Sequence, residues 1–364
     1  MGKKGGKKNA IGRNPGSDHD LVEDDSGRRH ELYQQAVQSP RGDLSYCRRF
    51  HQTYIGSHEP RHLREDFCGT ALLAATWCRG GVFRSAVGLD LDRPTLDWGA
   101  RHNGEMLGGS AQHQLALLEG NVLDPADSAL LVPFPEAGPE ASASQSSASD
   151  ESDGEGGAPA RRGSVRSRPC DIVCALNFGV CLLHTRTHLL RYLRHVAAAL
   201  DQARGGIFVA DLLGGPAAER DLTLPRHNST TGLGYTWVQS GFDPVTRRMT
   251  GTIRLREMDG REARRYNFHY DWRMWTVPDV RELLRQAGFS TTYVWIRPIK
   301  DASAGDGGRT SDTSGSQEAS GSDSEESEGE ADFQPHEDLD PEARQRLQRG
   351  WSAYIVAVLA PQPG

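Results

Sequence analysis

Between residues 62 and 212, runs of strand length alternate with runs of helical period, and that alternation limits the fold more than any other feature. His62–Phe67 reads as a short strand, Ala71–Cys78 as an Ala- and Leu-rich helix, and Ser85–Leu91 as a buried strand. Pro94–His102 reads as a helix with its proline early, where a missing N–H costs little. Gln112–Glu119 and Asp171–Leu176 read as strands, Thr187–Leu200 as a helix, and Gly206–Leu212 as a fifth strand. Strands joined through helices in this order build a parallel sheet with helices on both faces.

The alternation stops after Leu212. Tyr235–Gly241, Arg248–Arg256 and Arg264–Trp272 look like strands, with turns at Asp243-Pro244 and Asp259-Gly260. They predict a small antiparallel sheet inserted into the domain. Pro278–Ala287 is a helix closed by Gly288, and Ser290–Ile296 and Ser352–Leu359 complete the strands. Ahead of the first strand, Leu32, Tyr33, Ala36 and Val37 keep helical spacing up to Pro40, and a second helix fits Asp43–Tyr54 with Asp43 as its N-cap. The expected fold is therefore α/β: a Rossmann-like, seven-stranded, mostly parallel sheet, an inserted antiparallel β lid over 233–275, and N-terminal lid helices over 28–60.

Three stretches carry no apolar periodicity and predict disordered coil: the tail 1–27, an insert at 137–168, and an acidic insert at 301–332. What remains suits one α/β domain in three pieces: 28–136, 169–300 and 333–364. The whole chain is −7, but the acidic insert alone is −9, and the folded remainder comes to about +3. A near-neutral core gives no electrostatic support for nucleic-acid binding. No apolar run is long enough for a membrane span, and the N-terminus lacks the apolar stretch of a secretory signal. The six cysteines sit among apolar neighbours and read as buried thiols of a reducing, cytoplasmic compartment, although the Lys pairs at 3–4 and 7–8 also fit a nuclear signal.

In an open parallel sheet, ligands bind beyond the carboxyl ends of the strands, where strand order reverses. Three loops fall there. The first is Glu65-Asp66-Phe67-Cys68-Gly69-Thr70-Ala71, whose glycine allows close backbone approach at a helix start. It is not the dinucleotide pattern GxGxxG, which disfavours a nicotinamide enzyme. The second carries Asp90 and Leu91; an acid there can accept both hydroxyls of a ribose, while Asp92 caps the next helix. The third is Asn177-Phe178-Gly179. Asn121 and Val122, after the third strand, could meet an adenine.

LREDFCGTALL at 63–73, VGLDLD at 87–92, ALNF at 175–178, YDWRMWT at 270–276 and WSAYIVA at 351–357 together resemble a little-characterised bacterial and plant branch of the class I S-adenosylmethionine-dependent methyltransferases. The resemblance implies S-adenosyl-L-methionine as cofactor. It gives Glu65 the methionine end and Asp90 the ribose. Phe67, Gly69 and Ala71 stand where the superfamily prefers three glycines, Asn121 where it prefers Asp, and Asn177 and Phe178 beside the methyl group.

Methyl transfer from a sulfonium is an in-line displacement with a neutral leaving group. Positioning supplies much of the rate, about 7–11 kcal/mol in favourable cases, and no metal is required. The strand 264–275 is the expected substrate wall. Tyr270 and Arg273 are its substrate-side candidates, with His269 or Asp271 as proton acceptor. Phe268, Tyr270, Trp272 and Met274 share one face; His269, Asp271, Arg273 and Trp275 share the other. A covered pocket points to a small-molecule substrate. The rivals are an RNA or protein methyltransferase and a non-catalytic module on the same fold. His184 and His188 are spaced i, i+4 and, on a helix extended to include both, read as ordinary helix surface; no metal site is expected.

Overall fold

The computed structural model describes residues 25–108, 114–132, 168–227, 233–259, 262–299 and 332–361. The stretches expected to be disordered coil lie outside the described residues, apart from their ends. Three parallel strands open the domain: β1 (His62–Asp66), β2 (Ser85–Asp90) and β3 (Leu115–Glu119). An antiparallel edge strand β4 (Ala129–Val132) follows, then β5 (Ile172–Ala175) and β6 (Gly206–Gly214), both parallel to β1. The second sheet is β7 (Leu222–His227), β8 (Gly234–Ser240), β9 (Arg248–Asp259) and β10 (Glu262–Arg273). The chain then returns through β11 (Thr291–Pro298), β12 (Gln334–Pro335) and β13 (Trp351–Leu359) to the first sheet.

The main sheet has nine strands, in the order β12-β11-β13-β6-β5-β1-β2-β3-β4. Seven of its strands are those expected; the four-residue β4 and the two-residue β12 extend the edges. β13 lies antiparallel between β11 and β6. Strand order reverses between β1 and β5, so the crevice opens where their carboxyl ends part. The second sheet has four strands, one more than expected, ordered β10-β9-β8-β7. β7 escapes sequence reading because LTLPRH holds a proline and little alternation. As an edge strand it tolerates both.

Helices α1 (Asp25–Val37), α2 (Pro40–Tyr54), α3 (Leu72–Arg79), α4 (Arg93–Gly99), α5 (Arg186–Ala199), α6 (Val277–Gln286) and α7 (Pro341–Leu347) complete the fold. Period-two alternation divides each central strand between two cores. Leu63, Cys174 and Ile207 face Leu44, Phe50 and Trp77 of α2 and α3; Val173 and Phe208 face Leu189, Tyr192 and Leu193 of α5. Trp77 is fully buried, and truncating such a residue costs about 3–5 kcal/mol. A third, small cluster joins Leu32 of α1 to Ile253, Leu255 and Tyr266 of the second sheet.

Two helix starts differ from expectation. α2 begins at Pro40 with Ser39 before it, because proline suits a first turn where no N–H is needed. Asp43 is therefore inside that turn and accepts a 2.6 Å hydrogen bond from the Tyr354 hydroxyl instead of capping. α5 is capped by Thr185, whose side chain accepts from His188 N–H, so His184 precedes the helix and shares no helical face with His188. All six cysteines are buried and free. Among the described residues no helix is long and apolar enough to cross a membrane.

Candidate active site

Five non-glycine residues of the described chain hold a positive φ, and four of them sit in two loops at the crevice: Phe67 and Ala71 after β1, Asn177 and Phe178 after β5. A bulky residue in that region costs about 1–3 kcal/mol, and such strain gathers at functional sites. The loops touch. A Cβ on Gly179 would come within 2.7 Å of the Phe67 ring, so only glycine lets them pack. Phe178 is held by its N–H, which donates to Asp211 Oδ1 at 2.7 Å.

Beneath the first loop lies a buried polar network. Arg64 Nε donates to Asp66 Oδ1 (2.7 Å), and the Tyr192 hydroxyl of α5 donates to Asp66 Oδ2 (3.0 Å). On the opposite face of β1, Glu65 Oε2 accepts the Ala74 N–H of α3 at 2.9 Å. The loop is then clamped from outside. Gly69 N–H donates to Asp90 Oδ2 (2.8 Å), Gln34 of α1 donates to Thr70 Oγ1 (2.7 Å), and Asn103 donates to the Thr70 carbonyl (2.8 Å). Asn103 reaches that carbonyl because α4 continues as a π-turn over Ala100–Gly104.

Asp90 organises the end of β2. Its other oxygen accepts Asp92 N–H at 2.9 Å, and its carbonyl accepts Gly120 N–H at 2.8 Å, which brings Asn121 and Val122 alongside. Asp92 caps α4 as expected. Leu91, next to Asp90, is 66% exposed, an apolar surface at the mouth of the crevice. Asn121 is exposed and its side-chain oxygen accepts Leu123 N–H, closing a turn. Val122 is buried.

The crevice is acidic, and burial raises the pKa of its acids. Burial pushes Glu65 up to about 8, with Asp90 and Asp43 adding repulsion. Burial pushes Asp211 up to about 7, opposed by the Phe178 N–H and aided by Asp43. Burial also raises Asp90 and Asp43. A cationic ligand would relieve the mutual repulsion of these carboxylates.

The second sheet lies over this cluster. Trp272 meets Phe178 edge-on at 5.3 Å and stacks on Trp237 at 5.3 Å; Tyr270 sits 5.0 Å from Trp272. The Tyr270 hydroxyl donates to Tyr33 of α1 at 3.1 Å. Asp211 is close enough to Tyr33 to help burial raise that phenol. α1 thus bridges the two sheets: Arg28 pairs with Glu257, Arg29 stacks on Phe268, and on its other side His30 meets Trp98 of α4 at 5.2 Å.

No family model matches the chain, and no curated protein matches it. Solved structures do. A S-adenosylmethionine-dependent methyltransferase from Clostridium acetobutylicum matches with TM-score 0.51 at 11% identity, over 91% of this chain and 98% of the other. DesVI of Streptomyces venezuelae matches with TM-score 0.51 at 12% identity, over 75% of this chain and 93% of the other. The chain has the class I methyltransferase fold.

Within this methyltransferase fold, the loops at the crevice carry Phe67, Gly69, Thr70, Asp90, Leu91, Asn177 and Phe178, with Asn121 at one side, while the side chains of Cys68 and Val122 are buried in the core beneath them. Glu65 lies below the loop, its carboxyl turned to α3. The four wall residues do not form one group, because strand alternation divides them. Tyr270 faces the crevice side. His269 is exposed on the other face, where its Nδ1 pairs with Thr252 Oγ1 at 3.1 Å. Asp271 is exposed there too, ion-paired with Arg248. Arg273 donates to the His184 carbonyl at 2.8 Å and stacks on Trp275, which ties β10 to the loop after β5. Asp211 was absent from the expected site. Its signal in the sequence was a single acid in the apolar run GIFVADL, at the carboxyl end of a parallel strand.

Proposed function

We propose that the chain is an S-adenosylmethionine-dependent methyltransferase that methylates nitrogen or oxygen of a small molecule. The observation that carries this reading is Asp90, which joins the strained turn Phe67–Ala71 to the end of β2 at the switch point of a methyltransferase fold. The surrounding residues fit the cofactor. An acid at the end of the second strand suits a ribose, the exposed Leu91 offers an apolar face to a base, and the acid-rich crevice suits a cation.

When bound, the cofactor supplies a methyl group on a sulfonium, with a neutral thioether as leaving group. The chain's own residues supply position, exclusion of water and proton transfer. α1 and the β7–β10 sheet cover the crevice, favouring a small acceptor over a polymer. Tyr33 and Tyr270 present a pair of hydroxyls near Asp211, suited to orienting the acceptor. Asp211, with its pKa near 7, suits the acceptance of a proton from the attacking amine or hydroxyl. His269 and Asp271, on the outer face, take no part.

Calorimetric titration of S-adenosylmethionine into the wild type and Asp90→Ala tests the reading. The wild type should bind. The variant should bind about ten- to a hundredfold more weakly, since hydrogen bonds to a charged group contribute about 1.5–3 kcal/mol. A wild type that does not bind the cofactor overturns the proposal.

A further inference from the structure

At the amino ends of the central strands β1 and β5, the end of the main sheet opposite the crevice, three side chains converge on one point. His51 comes from the last turn of α2, His58 from the link to β1, and Asp171 from the residue before β5. One ligand atom from each lies within 4.8 Å of the others. His51 is fully buried, and neither of its ring nitrogens has a hydrogen-bond partner. A buried imidazole with both nitrogens unmatched is costly, and the fold keeps it where a leucine would fill the space without that cost.

The other two groups are already oriented. Asp171 is fully buried; its Oδ2 accepts Arg61 N–H (2.7 Å) and His62 N–H (2.9 Å), which fixes the carboxylate and leaves Oδ1 toward the histidines. His58 Nε2 stands 2.9 Å from Oδ1, and Ser57 Oγ stands 2.9 Å from Nδ1 on the other side of that ring. A partner on the far nitrogen is the usual way in which a metal-bound histidine is oriented. The two imidazoles meet edge-on, with centroids 4.9 Å apart.

We propose that His51, His58 and Asp171 form a binding site for one divalent transition-metal ion, with zinc the best fit to two imidazoles and one carboxylate. Three protein ligands leave a fourth position for water. Arg204 is the group that opposes the ion, donating from Nη2 to Asp171 Oδ1 at 2.9 Å. It is held less firmly than the others: its side chain is 44% exposed, and it also pairs with Asp201, to which it can retreat. The bound ion would tie the end of α2 and the following link to the base of the sheet, remote from the crevice.

The test uses the full chain stripped with a chelator. Zinc chloride is titrated by calorimetry, cobalt chloride is followed by visible absorption, and unfolding temperature is measured with each. The expected result is one equivalent bound and the ligand-field bands of low-coordinate cobalt without thiolate charge transfer. The unfolding temperature should rise with the metal. His58→Asn and His51→Leu should each abolish stoichiometric binding, and Arg204→Gln should tighten it severalfold. His58→Asn decides the matter if His51→Leu does not fold, because His58 lies at the rim. Absence of one-equivalent binding, a thiolate charge-transfer band, or binding that survives His58→Asn (an adventitious ion only) would overturn the proposal.

Discussion

Gly99→Ala separates two opposing physical effects at a single atom. Gly99 ends α4, where helix propensity alone favours Ala over Gly by about 1 kcal/mol. Packing opposes it. A Cβ there would lie 2.3 Å from the Thr70 carbonyl oxygen, 2.8 Å from its carbon and 3.0 Å from its Cα, and all three are backbone atoms. Ordinary contact begins near 3.4 Å, so α4 and the loop after β1 must separate by about 1 Å. Overpacking of that kind costs about 1–3 kcal/mol, and the Asn103 bond to the Thr70 carbonyl, worth about 1 kcal/mol, stretches with it. The net expectation is destabilisation by about 1–3 kcal/mol, a fall of about 2–10 °C in unfolding temperature for a domain of this size. Thermal unfolding followed by circular dichroism reads the first effect. Calorimetry with S-adenosylmethionine reads the second, a weakened affinity, because Thr70 belongs to the loop that moves. A variant as stable as the wild type, or more so, would refute the packing argument and leave propensity as the controlling effect.

Three further outcomes follow from the crevice. Asp211→Asn should lower methyl transfer by about 10²–10⁴ and abolish a rise of about tenfold between pH 6 and 8 that the wild type owes to a group near pH 7; an inflection that survives the change would exclude Asp211 as the base. Glu65 is raised in the folded chain from its ordinary 4.5 to about 8, so its contribution to stability is full below about 4.5 and is lost as pH rises through about 8. Denaturant unfolding should therefore show Glu65→Gln gaining stability relative to wild type as pH goes from 5 to 8; a constant difference would show that Glu65 ionises normally. Tyr270→Phe removes the 3.1 Å bond to Tyr33 and should cost about 1 kcal/mol of stability and reduce turnover, with cofactor affinity unchanged; equal turnover would remove the tyrosine pair from the mechanism.

The sheet was legible because local signals agree. Except for β1 (HLRED), the parallel strands are short apolar runs, each crossover helix shows its period, and Asp92 and Pro94 mark the start of α4 as capping chemistry requires. The loops after β1 and β2 could be named in advance for the same reason: the end of a parallel strand is where a site must be. The wall of the second sheet could be divided into two faces by alternation, but alternation does not say which face turns inward. The structure decided that, placing Tyr270 against Tyr33 and leaving His269 and Asp271 outside.

Other features had no local trace. The apolar run GIFVADL marks a strand whichever way its acid points; only burial beside Phe178 raises Asp211 to about 7. α1 reads as an amphipathic helix, yet its place as a bridge between the sheets depends on Gln34 meeting Thr70 and Arg28 meeting Glu257. His51 and Asp171 are 120 positions apart and share no motif. The sequence alone determined the elements, their order and the strand ends where a ligand belongs, since those depend on period and capping within a few residues. Tertiary structure decided which side chains meet and in which protonation state, since burial and proximity across the chain arise only when the sheet closes.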